Sequence, residues 1–246
     1  MKIVELHFQT GVCYKKLEKY NCAIDQFISA LERLKDKEYL SMKEADIYAE
    51  IGYGFNELES WTSSIEHCLT ALDWYRNMEI SNSDNICRLH TTLGSCYGRT
   101  EMYNSAIEHF KNALKINEDN NSCSTVKESI FLNHQLGYCY YMSEQYEMAF
   151  EYCEKSIYTV ERSLFHRKYY TMTDSYEIIA NIYVYYEEKT LACNCYIRVL
   201  ELLSADDESV SIIKISRIQN SLKSLNSKFW LHKVSDQPYS TLTAYF

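Results

Sequence analysis

Apolar and small side chains recur along this chain in blocks 41 to 43 residues apart. Each block starts from a small residue, at Gly11, Gly52, Gly94, Gly137 and Ala180. Three positions later stand Tyr14, Phe55, Tyr97, Tyr140 and Tyr183. Nine later stand Tyr20, Trp61, Tyr103 and Tyr146, and Lys189 breaks that column. Twelve later come Ala23, Ser64, Ala106, Ala149 and Ala192, and sixteen later Phe27, Cys68, Phe110, Cys153 and Tyr196. This pattern predicts two antiparallel helices per block. The small residue on the first helix lets the second approach, and the aromatics fill the space between helices of the same and the next block, supplying most of the buried apolar area. No stretch alternates at period two, so the chain reads as all-α. Ser63-x-x-Glu66 and Ser105-x-x-Glu108 read as capping boxes opening the second helices of blocks two and three. The polar stretches 76–85 and 117–124 read as loops between blocks. A repeat of this length is the mark of a solenoid, which displays a surface rather than enclosing a reactive pocket.

Towards the C-terminus the period changes. Ile212, Ile215, Ile218, Leu222, Leu225 and Phe229 recur on one helical face, with Lys214, Arg217, Lys223 and Lys228 between them. An amphipathic helix of this kind is expected to cap the last block. The alternatives are contact with a membrane surface or with a partner's groove. The last residues, 233–246, read as a flexible tail. No capping helix is expected before the first block, whose outer face is left open or paired with something else.

The columns resemble the tetratricopeptide repeat (TPR), a helix-turn-helix unit with a Leu-Gly-x-x-Tyr, Ala, Phe, Ala signature. Block three carries it most fully, as Leu93-Gly94-Ser95-Cys96-Tyr97 followed by Tyr103, Ala106, Phe110 and Ala113. Blocks one and four close on Ala30 and Ser156, and block five departs at Ala180, Lys189 and Val199. The spacing exceeds the usual ~34 residues of the family, and the single proline, Pro238, lies outside the repeats. The surplus lengthens each helix by about a turn. The result is similar to the long repeats of kinesin light chain, the spindle-orientation adaptors and bacterial Rap-type peptide receptors. The resemblance implies an all-α, right-handed α-α superhelical solenoid. Its five units span 1–38, 44–78, 85–118, 127–161 and 169–203, followed by a capping helix over 208–232.

Composition narrows the function. A net charge of −9 and a pI near 5.3 disfavour nucleic acid as a partner, because its phosphates need a basic face. No apolar run approaches the ~20 residues that a membrane span needs. Residues 1–5 lack the apolar core of a signal peptide, so a cytoplasmic location is expected. Of ten cysteines, Cys13, Cys96 and Cys139 sit two after the repeat glycine, and Cys68 and Cys153 replace an aromatic. These five read as small buried hydrophobes. Cys193-Asn-Cys195 and the pair Cys87 and His90 give no metal-ligand spacing. Phosphate-loop, dinucleotide, zinc-protease and nucleophile-elbow motifs are all missing from the sequence. The carboxylates of Asp206, Asp207, Glu208, Glu187 and Glu188 read as solvated charge. No catalytic residue, metal or cofactor is expected.

In the TPR family the first helix of each unit lines the binding groove. Carried over position by position, that assigns Gln9, Val12 and Lys16 in unit one, and Glu50, Tyr53 and Asn56 in unit two. Unit three supplies Thr92, Ser95 and Arg99, with Arg88 added as a second cation beside Arg99; unit four supplies His134, Gln135, Tyr138 and Tyr141, and unit five Glu177 and Asn181. Gln9, Glu50, Thr92 and Gln135 form a polar row suited to the backbone of a bound segment, and the tyrosines offer amphipathic anchors. Phe8 and Val12 stand where chaperone-binding relatives carry a carboxylate clamp, which disfavours that partner. The expected function is an adaptor that binds a peptide or helical segment of another protein. The alternatives are a Rap-like peptide-sensing regulator, or the targeting module of a larger enzyme.

Overall fold

The computed structural model describes residues 2–34, 42–77, 82–119, 123–163, 169–204 and 211–225. These residues form helices and turns with no strand. The helices are α1 (Lys2–Lys16), α2 (Tyr20–Leu34), α3 (Met42–Glu57), α4 (Trp61–Asn77), α5 (Ser83–Arg99), α6 (Tyr103–Asp119), α7 (Cys123–Met142), α8 (Tyr146–Arg162), α9 (Tyr169–Tyr185), α10 (Lys189–Ser204) and α11 (Ser211–Leu225). The fold is an all-α TPR-like helical-repeat solenoid.

The small-residue column and the column sixteen positions on meet face to face. A Cβ on Gly11 or Gly94 would lie 2.6 and 2.7 Å from the rings of Phe27 and Phe110. On Gly52 or Gly137 it would lie 2.4 and 2.5 Å from the sulfurs of Cys68 and Cys153, and 3.2 Å from their backbone nitrogens. Glycine therefore sets the approach of the two helices. The residues opposite are sealed in, Phe27, Cys68, Phe110 and Cys153 among them.

The turn inside each pair is the same five times. Glu18, Glu59, Glu101, Glu144 and Glu187 all take left-handed backbone, with φ between 56 and 62°. In unit three the Glu101 N–H bonds the Gly98 carbonyl and the Met102 N–H bonds the Tyr97 carbonyl; matching pairs close the other four turns. This is the Schellman arrangement, with glutamate where glycine is usual. It also corrects the helix starts. The second helices of units two and three open at Trp61 and Tyr103, so Ser63 and Ser105 lie inside the first turn and are not caps. The left-handed turn fixes where the chain re-enters helix. The loops between units are shorter than the polar composition implied, since α4 runs to Asn77, α5 begins at Ser83, α6 runs to Asp119 and α7 begins at Cys123. Asn117 is buried within α6.

The chain divides into two compact units, residues 1–125 and 126–246. In the first, α1 to α6 pack pairwise, and α2 on α3 and α4 on α5 join the pairs. In the second, α8 packs on α9, α9 on α10 and α10 on α11. Ile218 and Leu222 of α11 are buried against Ala192, Tyr196, Leu200 and Leu203. Lys214 bonds Thr173 and Asp174, and Arg217 bonds Glu177. These partners stand 40 or 41 residues apart, one repeat, so α11 occupies the place of a sixth unit's first helix. The tail 233–246 lies outside the described residues.

At the other end, Ile3, Leu6 and Cys13 are exposed on α1, and Leu17 is exposed in the turn after it. The expectation that Cys13 is core is therefore wrong. In unit three the equivalent Cys96 is buried because it meets Ser64 and Asn56 of the preceding pair. No described helix covers that side of α1. Cys68, Cys96, Cys139 and Cys153 are buried as expected.

Candidate functional site

The first helices of the first unit present a face whose polar groups largely bond one another. Glu50 accepts from Lys15 and from Arg88, at 3.5 Å for the latter. The Arg88 guanidinium lies 3.7 Å from the centre of the Tyr53 ring, a cation–π contact. Tyr53 is only 6% exposed and its hydroxyl has no hydrogen-bond partner, so burial holds its pKa well above the usual value. The assignment of Tyr53 as an exposed groove contact is thus corrected: it packs with Ala49, Leu89 and Leu93, under the arginine of the next helix. Gln9 donates to Glu5, Thr92 and Ser95 donate to carbonyls of their own helix, and Asn56 donates to Glu57 while accepting from Cys96. Val12 is half-buried against the unit-one core, and Lys16 is exposed. Arg99 is exposed, with its guanidinium 6.0 Å from the Trp61 ring.

The second unit offers a different face. His134, expected at the surface, is 8% exposed and bonds the buried Ser175 hydroxyl at 3.0 Å. Burial depresses its pKa, Asp174 opposes that shift and Lys214 reinforces it. The reason for the correction is the next first helix, α9, which covers it. Glu177 pairs with Lys214 and Arg217 of α11, and Asn181 accepts from the Tyr196 hydroxyl at 2.5 Å. Gln135 and Tyr141 are half-buried, and Tyr138 and Met142 are exposed on the same face of α7. Tyr141 touches Tyr146, whose ring lies 4.3 Å from that of Tyr185, and Tyr186 closes the group at 5.2 Å from Tyr185. Tyr185 is 62% exposed, and the Tyr186 hydroxyl donates to Glu147. Tyr146, Tyr185 and Tyr186 extend the aromatic surface beyond the predicted Tyr138 and Tyr141. The sequence signal for Tyr185 and Tyr186 is a pair of adjacent tyrosines where α9 ends, and Tyr146 belongs to the column nine positions after the small residue.

A family model described as soluble NSF attachment protein, SNAP, matches residues 3–158, well over half of the chain. The chain belongs to the SNAP family. This is a TPR-like helical-repeat family, so the resemblance read from the columns holds. The transcriptional activator NprA of Geobacillus stearothermophilus is 24% identical over 201 residues, 82% of this chain and 47% of NprA. The chain thus spans about half the length of that curated relative. Among solved structures, apo RapI superposes with a TM-score of 0.72 at 14% identity, over 90% of this chain and 61% of RapI. The apo quorum sensor NprR from B. thuringiensis gives 0.67 at 15% identity, over 90% of this chain and 59% of NprR. MamA from Desulfovibrio magneticus RS-1 gives 0.64 at 12% identity, over 85% of this chain and 99% of that one. These likenesses carry the fold.

Among the described residues no group of three or more His, Cys, Asp or Glu is placed to hold a metal, and no helix is long and apolar enough to cross a membrane. In unit three the half-buried His90 and His109 share a hydrogen bond of 2.9 Å between their Nδ1 atoms. Burial, then His109, then Arg76 push His90 down to about 4, and burial lowers His109 against Glu108. A histidine depressed in the folded state stabilises fully above its unfolded pKa, ~6.5, and loses that contribution as pH falls towards 4. Lowering pH from 7.5 to 4.5 should therefore cost the first unit on the order of 1–2 kcal/mol from this pair, discounted for solvent screening. Urea titrations of wild type and His90→Gln at the two pH values check it. An equal pH dependence in both proteins would show that the pair does not titrate as described.

Proposed function

We propose that this chain is a protein-interaction adaptor whose first-helix face holds a peptide or helical segment of a partner protein. It acts in the cytoplasm, without catalysis, cofactor or metal. The observation that carries the reading is the aromatic surface of the second unit, where Tyr138, Tyr185 and Tyr186 are exposed with Met142 beside the half-buried Tyr141. Rings left in water on a rigid helical scaffold are the usual anchors of a protein interface, because they bury large area at small entropic cost. The first unit's face is less available, since Glu50, Lys15 and Arg88 already satisfy one another. Expected result: Tyr138→Ala with Tyr185→Ala lowers affinity for the natural partner by about tenfold or more, at unchanged helicity. The measurement is affinity purification from the native cell with mass spectrometry, comparing wild type and variant. Undiminished recovery of the same partner by the variant would remove the face from consideration.

A second reading is favoured by the match to NprA across 82% of the chain. In it the chain is a regulator that closes on a short signalling peptide. Small-angle scattering with candidate peptides separates the two, because a sensor compacts on binding and an adaptor keeps its dimensions.

A further inference from the structure

Units two, three and four place a ring fifteen positions after their small residue, and each ring stacks on the aromatic three positions after it. Phe55 and His67 lie 5.4 Å apart at 7°, Tyr97 and His109 5.3 Å at 12°, and Tyr140 and Tyr152 5.4 Å at 12°. In unit five the partner of Tyr183 in this register is Cys195. Tyr183 instead meets Phe150 of α8 edge-on, with centroids 5.7 Å apart at 75°. The place of the missing ring is open. A cleft of about 580 Å³ lies there between α8, α9 and α10, walled by Phe150, Tyr158, Tyr176 and Tyr183, with Cys195 among its lining residues. That volume is within the ~300–1,000 Å³ typical of ligand pockets.

The charged residues that line the cleft are net acidic. Glu151, Glu154, Glu161 and Lys155 also line it. Lys155 bonds Glu151 at 2.6 Å, so that pair is neutral. Glu154 and Glu161 are exposed and form no ion pair among the described residues. The Cys195 thiol is pushed up to about 11 by burial and is a neutral, polarisable contact rather than a nucleophile. This cleft uses Tyr176, Ile179 and Tyr183 of α9, not the positions that make the first-helix face.

We propose that the cleft is a second peptide-binding site, which takes one aromatic side chain of a partner segment into the place of the missing ring and sets flanking lysine or arginine side chains against Glu154 and Glu161. The bound ring completes the stack that the chain itself makes three times, and the cationic neighbours select against acidic segments.

The test uses the full chain and acetyl-Lys-Trp-Lys-amide as probe, followed by amide chemical shifts. Shifts are expected around Tyr176, Tyr183 and Cys195, and acetyl-Lys-Ala-Lys-amide should bind at least about tenfold more weakly. Cys195→His, which restores the ring found in units two and three, should weaken the probe by about tenfold or more without lowering the thermal midpoint. The exposed double variant Glu154→Gln/Glu161→Gln should reduce binding to that of acetyl-Gln-Trp-Gln-amide; it touches no core and decides the point even if Cys195→His loses helicity. Equal affinity of the Trp and Ala probes, or unchanged binding in Cys195→His or the double variant, overturns the proposal. The Tyr138→Ala/Tyr185→Ala variant should bind the probe normally, which separates failure of this cleft from failure of the first-helix face.

Discussion

Gly52→Ala destabilises the first unit by about 2–3 kcal/mol, although alanine is favoured over glycine within a helix by about 1 kcal/mol. The sign follows from what the new methyl meets. Its nearest neighbours are the Cys68 sulfur at 2.4 Å, the Cys68 backbone nitrogen at 3.2 Å and the Ser64 carbonyl at 3.4 Å. A sulfur sealed in the core can turn only into other core atoms, and backbone cannot turn at all. Ser64 also donates to the Gly52 carbonyl at 2.8 Å, so separating the helices breaks a buried hydrogen bond as well as the packing. Gly54→Ala is the control, because its methyl meets only the Ile24 side chain, at 2.8 and 3.1 Å, and a side chain can adjust. It should cost clearly less than Gly52→Ala. Cys68→Ala removes the nearest clash but not the backbone one, so Gly52→Ala/Cys68→Ala should be less destabilised than the sum of the single changes by about 1 kcal/mol. Urea unfolding followed by circular dichroism measures all four. A Gly52→Ala protein as stable as wild type would mean that the pair is looser than described.

The same contacts explain why the pairing of helices was readable in the sequence. A glycine and a bulky residue sixteen positions on record one close approach, and each repetition of that pair restates it. Surface assignments do not carry the same redundancy. Whether a groove position faces water depends on which side chains the next first helix sets against it. Arg88 reaches back over Tyr53 and Ser175 meets His134, whereas α7 leaves Tyr138 open. In the polar row, Gln9, Glu50 and Thr92 find partners within the protein, which the sequence pattern does not convey. The capping boxes misled for a local reason. Serine followed by glutamate three residues later is a cap only at a helix start, and the starts are set by the preceding left-handed residue. That residue was visible all along as a column of five glutamates seven positions after the small residues, yet glutamate does not announce positive φ.

Those glutamates lead to the second large effect, of opposite sign. Glu18→Gly, Glu59→Gly and Glu101→Gly together stabilise the first unit by about 2–3 kcal/mol. A side chain in left-handed backbone costs about 1–2 kcal/mol, and the greater freedom of glycine in the unfolded chain returns part of that. All three residues are exposed and none forms an ion pair among the described residues, so their removal breaks no ion pair there. The turn geometry needs only backbone: the N–H groups of residues 18 and 19 bond the carbonyls of Lys15 and Tyr14, and the same pattern closes units two and three. The three sites are a full repeat apart, so their effects should add. Alanine at the same positions keeps the Cβ and its strain, and should gain nothing comparable. Urea midpoints of the triple glycine and triple alanine variants separate the explanations. A gain in glycine alone identifies backbone strain, whereas equal gains in both would assign the cost to repulsion among carboxylates in a chain of net charge −9.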